Sequence, residues 1–85
     1  MIAELLQAID LALDGQWDAA HVLVQHYESD RTARWIHAVL HKIEGDRNNS
    51  LYWYRRAGKT ELVDHEAKAE LQAIRAEIEK ASSPT

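Results

Sequence analysis

An all-α fold of about five helices is predicted by three features of this 85-residue chain. Apolar residues recur at three- and four-residue steps through most of its length, which is the period of one helix face. Strand-like alternation is almost absent. The residues that punctuate elements are few, three glycines and one proline. The glycines stand at 15, 45 and 58, just past apolar-periodic runs, where a residue without a Cβ can close a last helical turn in the left-handed conformation.

The first helix is expected over Ile2 to Asp14, with Ile2, Leu5, Leu6, Ile9 and Leu13 as its apolar stripe and Gly15 as its stop. The second, about Gln16 to Glu28, turns Trp17, Ala20, Val24 and Tyr27 inward, with Leu23 beside them. His21 and His26 lie off that stripe and read as edge or surface residues. Ser29 and Asp30 break the pattern and offer an N-cap to a third helix, Arg31 to Glu44, which stops at Gly45. Asp46 or Asn48 caps the fourth, which stops at Gly58. The fifth begins near Thr60 to Leu62 and runs to about Ala81, with Val63, Ala67, Leu71, Ile74 and Ile78 inward. On its flanks Asp64–Lys68 and Arg75–Glu79 form i,i+4 charge pairs. The short linkers favour antiparallel hairpins in one domain over 1–81, with a short flexible tail at 82–85.

Composition narrows the function classes. The 46% hydrophobic and 28% charged content is that of a globular chain. A chain this short buries only about 60–65% of its unfolded surface, so its stability margin is thin. Without cysteine there is neither a disulfide nor a thiolate metal site, which fits a cytoplasmic location. The N-terminus MIAELLQAID has no basic region of a secretory signal, and no apolar run approaches the ~18 residues of a membrane span. The net charge is −4 and the basic residues form no dense tract, so neither a membrane nor nucleic acid is expected as a partner.

Aligning Gly15 on Gly45 brings Ala8 onto Ala38 and Ala20 onto Ser50, with Tyr54 and Ala57 following in the second copy. This resembles the tetratricopeptide repeat, in which small residues mark the close crossing of two helices around a glycine turn. The resemblance implies a helix-hairpin array over Ile2 to Gly58 with the fifth helix as a cap; a plain up-down bundle is the alternative. The elements Trp35-Ile36-His37-Ala38, Leu40-His41, Glu44-Gly45-Asp46, Tyr52-Trp53-Tyr54 and Arg56-Ala57-Gly58 also resemble a string recurring in a family of small uncharacterised proteins. That resemblance implies a shared fold and no assigned activity.

Two surfaces could carry function. On the third helix, Ala33, Ile36, Leu40 and Ile43 centre an apolar arc, while Arg34, His37, His41 and Glu44 share another side. Two imidazoles four residues apart can chelate one metal ion, and the carboxylate could complete the set. The zinc-protease pattern is absent, because Ala38 stands where a glutamate should follow the first histidine. The plainer reading places His37 and His41 in a helix seam, hydrogen-bonded to a carboxylate or a carbonyl. A third uses them as neutral donors and acceptors to a ligand or peptide.

On the fourth helix, Ser50, Leu51, Tyr54 and Ala57 face inward and Asn49, Tyr52, Trp53 and Arg56 face away. Each large aromatic would remove about 150–250 Å² from water if covered. Tyr, Trp and Arg are also the residue types enriched at binding hot spots. The expected function is therefore self-association or docking of a protein partner. Metal or small-ligand binding through His37, His41 and Glu44, extending to catalysis at that site, is the alternative. No cofactor is expected beyond that possible divalent metal. No serine lies in an evident His/Asp constellation, so no catalytic residue is assigned. Glu61, Glu66, Glu70, Glu77 and Glu79 read as a solvated acidic face.

Overall fold

The computed structural model describes residues 1–82 and is all-helical over them. The helices are α1 (Ile2–Leu13), α2 (Trp17–Gln25), α3 (Arg31–Glu44), α4 (Arg47–Ala57) and α5 (Ala67–Ala81), with a 3₁₀ turn at Thr60–Leu62. Helix boundaries follow the capping residues. The Asp30 carboxylate accepts from the Ala33 N–H at 2.9 Å and starts α3, and Asp46 accepts from the Asn49 N–H at 3.2 Å and starts α4. Gly45 and Gly58 close these helices at φ of 87° and 69°, left-handed values that a side chain would strain.

Hairpins α1–α2 and α3–α4 lie side by side, and α3 packs against all four other helices. Helix α3 is therefore buried almost all round. Ala33 and every residue from Trp35 to His41 are buried, so its wheel has no solvent side over those turns. The expected arc failed at one end, where Ile43 projects past the packed turns and is exposed. Ile2 and Leu13 are exposed at the two ends of α1 for the same reason. Leu5, Ala8 and Ile9 carry its contact with the core, and Trp17 and Tyr27 are only partly buried against it.

Helix α5 returns over α1 and α3, and it begins five to seven residues later than the sequence suggests. Glu66 accepts from the N–H groups of Lys68 and Ala69 at 2.8 and 2.9 Å, so the true N-cap lies there. These bonds hold its carboxyl below the usual range. The preceding turn is tied down from α3, where the Lys42 ammonium donates to the carbonyls of Leu62 at 3.1 Å and His65 at 2.7 Å. The expected charge pairs are replaced by pairs between elements. Asp64 meets Arg47 at 3.0 Å, and Arg75 meets Asp10 of α1. Ser82 caps α5 through its hydroxyl, which donates to the Ile78 carbonyl at 2.8 Å; the rest of the expected tail lies outside the described residues.

Glu70 corrects the acidic-face reading. It is 5% exposed. Its carboxylate accepts from the Trp35 indole N–H at 2.8 Å and from the Tyr54 hydroxyl at 2.7 and 2.8 Å, and it pairs with Lys42 at 2.7 Å. Burial first, and then the bond to Glu70, raises the Tyr54 phenol far above its ordinary range, so it stays a donor. Glu61, Glu77 and Glu79 are exposed as expected.

Candidate metal centre

The antiparallel registers of α2 and α4 against α3 bring a cluster of rings together. Trp17 near the start of α2 donates its indole N–H to the Leu40 carbonyl of α3 at 2.6 Å. One turn along, His21 meets His37. On the other flank the Ser50 hydroxyl donates to the Ala38 carbonyl at 2.9 Å, which sets Trp53 of α4 over the His37 ring at 4.0 Å between centroids. Trp17 stacks on His21 at 4.6 Å. Three imidazoles are thus held between two indoles.

Their Nε2 atoms converge. His37 Nε2 lies 3.0 Å from His21 Nε2 and 3.1 Å from His41 Nε2, and one ligand atom from each of the three lies within 4.8 Å of the others. His37 and His41 are buried, and His21 is partly exposed. On the far edge of the His41 ring, Nδ1 is 2.9 Å from Glu44 Oε1. A carboxylate only accepts, so in the neutral His41 ring the proton sits on Nδ1 and Nε2 presents a lone pair to the cluster.

Hydrogen bonding alone cannot serve all of these nitrogens. A proton on His37 Nε2 gives one linear bond, to His41 or to His21, and leaves the other contact without one. A proton from His21 to His37 instead sets two lone pairs together at the 3.1 Å contact with His41. His37 Nδ1 is buried with no partner among the described residues, so moving the proton there only creates an orphan donor. Nor can a charge resolve it. Burial first, and then the like charges of His21 and His41, push the His37 imidazolium down to about 3, and burial lowers His21 as well.

A divalent cation would satisfy all three lone pairs at once. Imidazole nitrogens bind zinc at about 2.0–2.1 Å, which places adjacent nitrogens about 3.3 Å apart in a tetrahedron and about 2.9 Å apart in an octahedron. The two contacts of His37, 3.0 and 3.1 Å, fall between these values, and the His21 and His41 ligand atoms lie within 4.8 Å of each other. Glu44 behind His41 stands where an outer carboxylate would fix the tautomer that a metal ion requires.

The residues singled out from sequence divide three ways. His37 and His41 come together as expected, but the third nitrogen comes from His21, which was read as an edge residue. The missed signal is its spacing, since Trp17, His21 and Val24 also form a helical stripe. Glu44 supports the cluster from behind rather than facing the three Nε2 atoms. Trp53 is not on a free outer face; it is half-buried and packs on His37. Arg34 and Asn49 are used locally. The Arg34 guanidinium donates to the carbonyls of Glu28, Ser29 and Arg56 at 2.8, 2.8 and 3.2 Å, and the Asn49 amide donates to Asp46 at 2.7 Å. Tyr52 remains half-exposed, with the Arg56 guanidinium 5.5 Å from its ring centre and the same distance from that of Trp53.

The depressed His37 value has a definite sign. Its folded form resists protonation until about 3, whereas the unfolded imidazole protonates near 6.5. Its contribution to stability is therefore present above pH 6.5 and is lost as the pH falls toward 3. In metal-free buffer, the melting temperature of the wild type should drop more steeply between pH 6.5 and 4 than that of His37→Gln, as followed by circular dichroism.

Comparison with known proteins gives no likeness to lean on: no protein-family model, no curated protein and no solved structure matches this chain.

Proposed function

We propose that this protein binds one transition-metal ion through the Nε2 atoms of His21, His37 and His41, with Zn²⁺ the first candidate. The observation that carries the reading is the convergence of three imidazole nitrogens whose two contacts, both through His37 Nε2 at 3.0 and 3.1 Å, cannot both be linear hydrogen bonds under any arrangement of protons. An all-imidazole set favours zinc, copper, nickel or iron over magnesium and calcium, which take oxygen ligands. The two hairpins with glycine turns at Gly15 and Gly45 support a tetratricopeptide-like scaffold for it, and the lack of cysteine is in keeping with a cytoplasmic setting. The test is a Zn²⁺ titration of untagged protein against a chromophoric chelator. One ion per chain is expected, with affinity falling at least ~100-fold in His21→Ala as a ligand is removed. No binding, or equal binding by the variant, would overturn the reading.

A second reading rests on the half-exposed Tyr52 with Arg56 over its ring, types common at interfaces, and assigns self-association or a protein partner to that face of α4. Sedimentation that is unchanged between wild type and Tyr52→Ala/Arg56→Ala, together with an unchanged set of co-purifying proteins, would remove it.

A further inference from the structure

We infer that the metal centre keeps at least one coordination position for a small exogenous ligand, either water or a small anion; this rests on the three-histidine reading above. Among the described residues, no fourth His, Asp or Glu offers an atom within 4.8 Å of all three histidine ligands. The two carboxylates grouped with His41 are committed elsewhere. Glu44 Oε1 is held at 2.9 Å by Nδ1 of His41, on the ring edge opposite Nε2. Asp46 caps α4, with one oxygen on the Asn49 N–H at 3.2 Å and the other on the Asn49 amide at 2.7 Å. The chain has no cysteine to supply a thiolate.

A tetrahedral ion bound here lacks one ligand and an octahedral ion lacks three. Structural zinc sites are closed by four protein ligands, whereas three protein ligands and a water mark a site that exchanges its last ligand. Access and size follow from the walls. His21 is the most exposed of the three, so the open position is approached past its edge. The indole of Trp17 stacks on His21 and meets His41 edge-on at 5.7 Å, and Trp53 covers His37. These rings wall the cluster on both sides, which favours a small ligand over a bulky one.

Co²⁺ reports this directly, because its visible bands respond to ligand number and identity. The untagged protein is loaded with one equivalent of Co²⁺, its absorption is recorded, and sodium azide is then added. The expected result is a saturable change in the bands with one azide per cobalt, and none with a bulky carboxylate such as benzoate. Cobalt bands that azide leaves unchanged would mean that the chain closes the coordination sphere itself, which overturns this inference and leaves the metal reading standing. Failure to bind cobalt, or identical binding by His21→Ala, overturns both.

Discussion

Glu70→Ala is expected to lower the melting temperature by on the order of 20 °C. The carboxylate is buried, and its removal strands three groups at once: the Lys42 ammonium, the Tyr54 hydroxyl and the Trp35 indole N–H. Breaking a buried ion pair by deleting one partner costs about 3–5 kcal/mol, because the remaining charge stays in a poorly solvating interior. A small domain has about 5–15 kcal/mol in all, and each kcal/mol moves the melting point of a chain this size by about 4–8 °C. The loss would spread beyond α5. Lys42 also donates to the carbonyls of Leu62 and His65, so an ammonium without its counter-ion is left at the turn that leads into that helix. Glu70→Gln keeps the volume and one acceptor and should fall between wild type and alanine. Glu61→Ala and Glu77→Ala, at exposed positions, should stay within about 0.5 kcal/mol of wild type. Equal melting curves for Glu70→Ala and Glu61→Ala would refute the role given to Glu70.

Zn²⁺ should have an effect of similar size and opposite sign. A ligand that binds only the folded state stabilises it by about 4 kcal/mol at a thousand times its dissociation constant, again on the order of 20 °C here. EDTA should reverse the rise. His21→Ala should abolish it while costing the metal-free protein only about 1 kcal/mol, since that ring is partly exposed and its main packing is the stack on Trp17. Scanning calorimetry with and without Zn²⁺ decides the matter. A metal-induced rise that survives in His21→Ala would place the ion elsewhere on the chain.

Much of the fold was legible because local signals agreed. Asp30 and Gly45 bracket α3 as cap and stop, and the bounds of that helix came out as read. Most of the misses share one physical origin, contacts that lie far apart in sequence. A helix wheel divides residues into in and out, but α3 touches four other helices and has no outside over most of its length. Its polar stripe of His37 and His41 therefore faces α2 and α4 rather than water. His21 fell beside a stripe drawn through Ala20, and only the α2–α3 register reveals what it meets. Glu70 looked like one more exposed acid, although Ala67, Glu70, Leu71 and Ile74 share one helical face. Its three donors lie 16, 28 and 35 residues away, and no local rule could pair them. The late start of α5 was missed because the Glu66 cap resembles any surface glutamate until its backbone partners are seen.

The central claim is that three nitrogens from two helices share one ion. Its most direct test is diffraction at the zinc absorption edge from crystals of the untagged protein grown with one equivalent of Zn²⁺. The expected result is a single anomalous peak per chain, about 2.0–2.1 Å from Nε2 of His21, His37 and His41. A peak on the neighbouring group of His41, Glu44 and Asp46, or no peak within reach of His21, would contradict it.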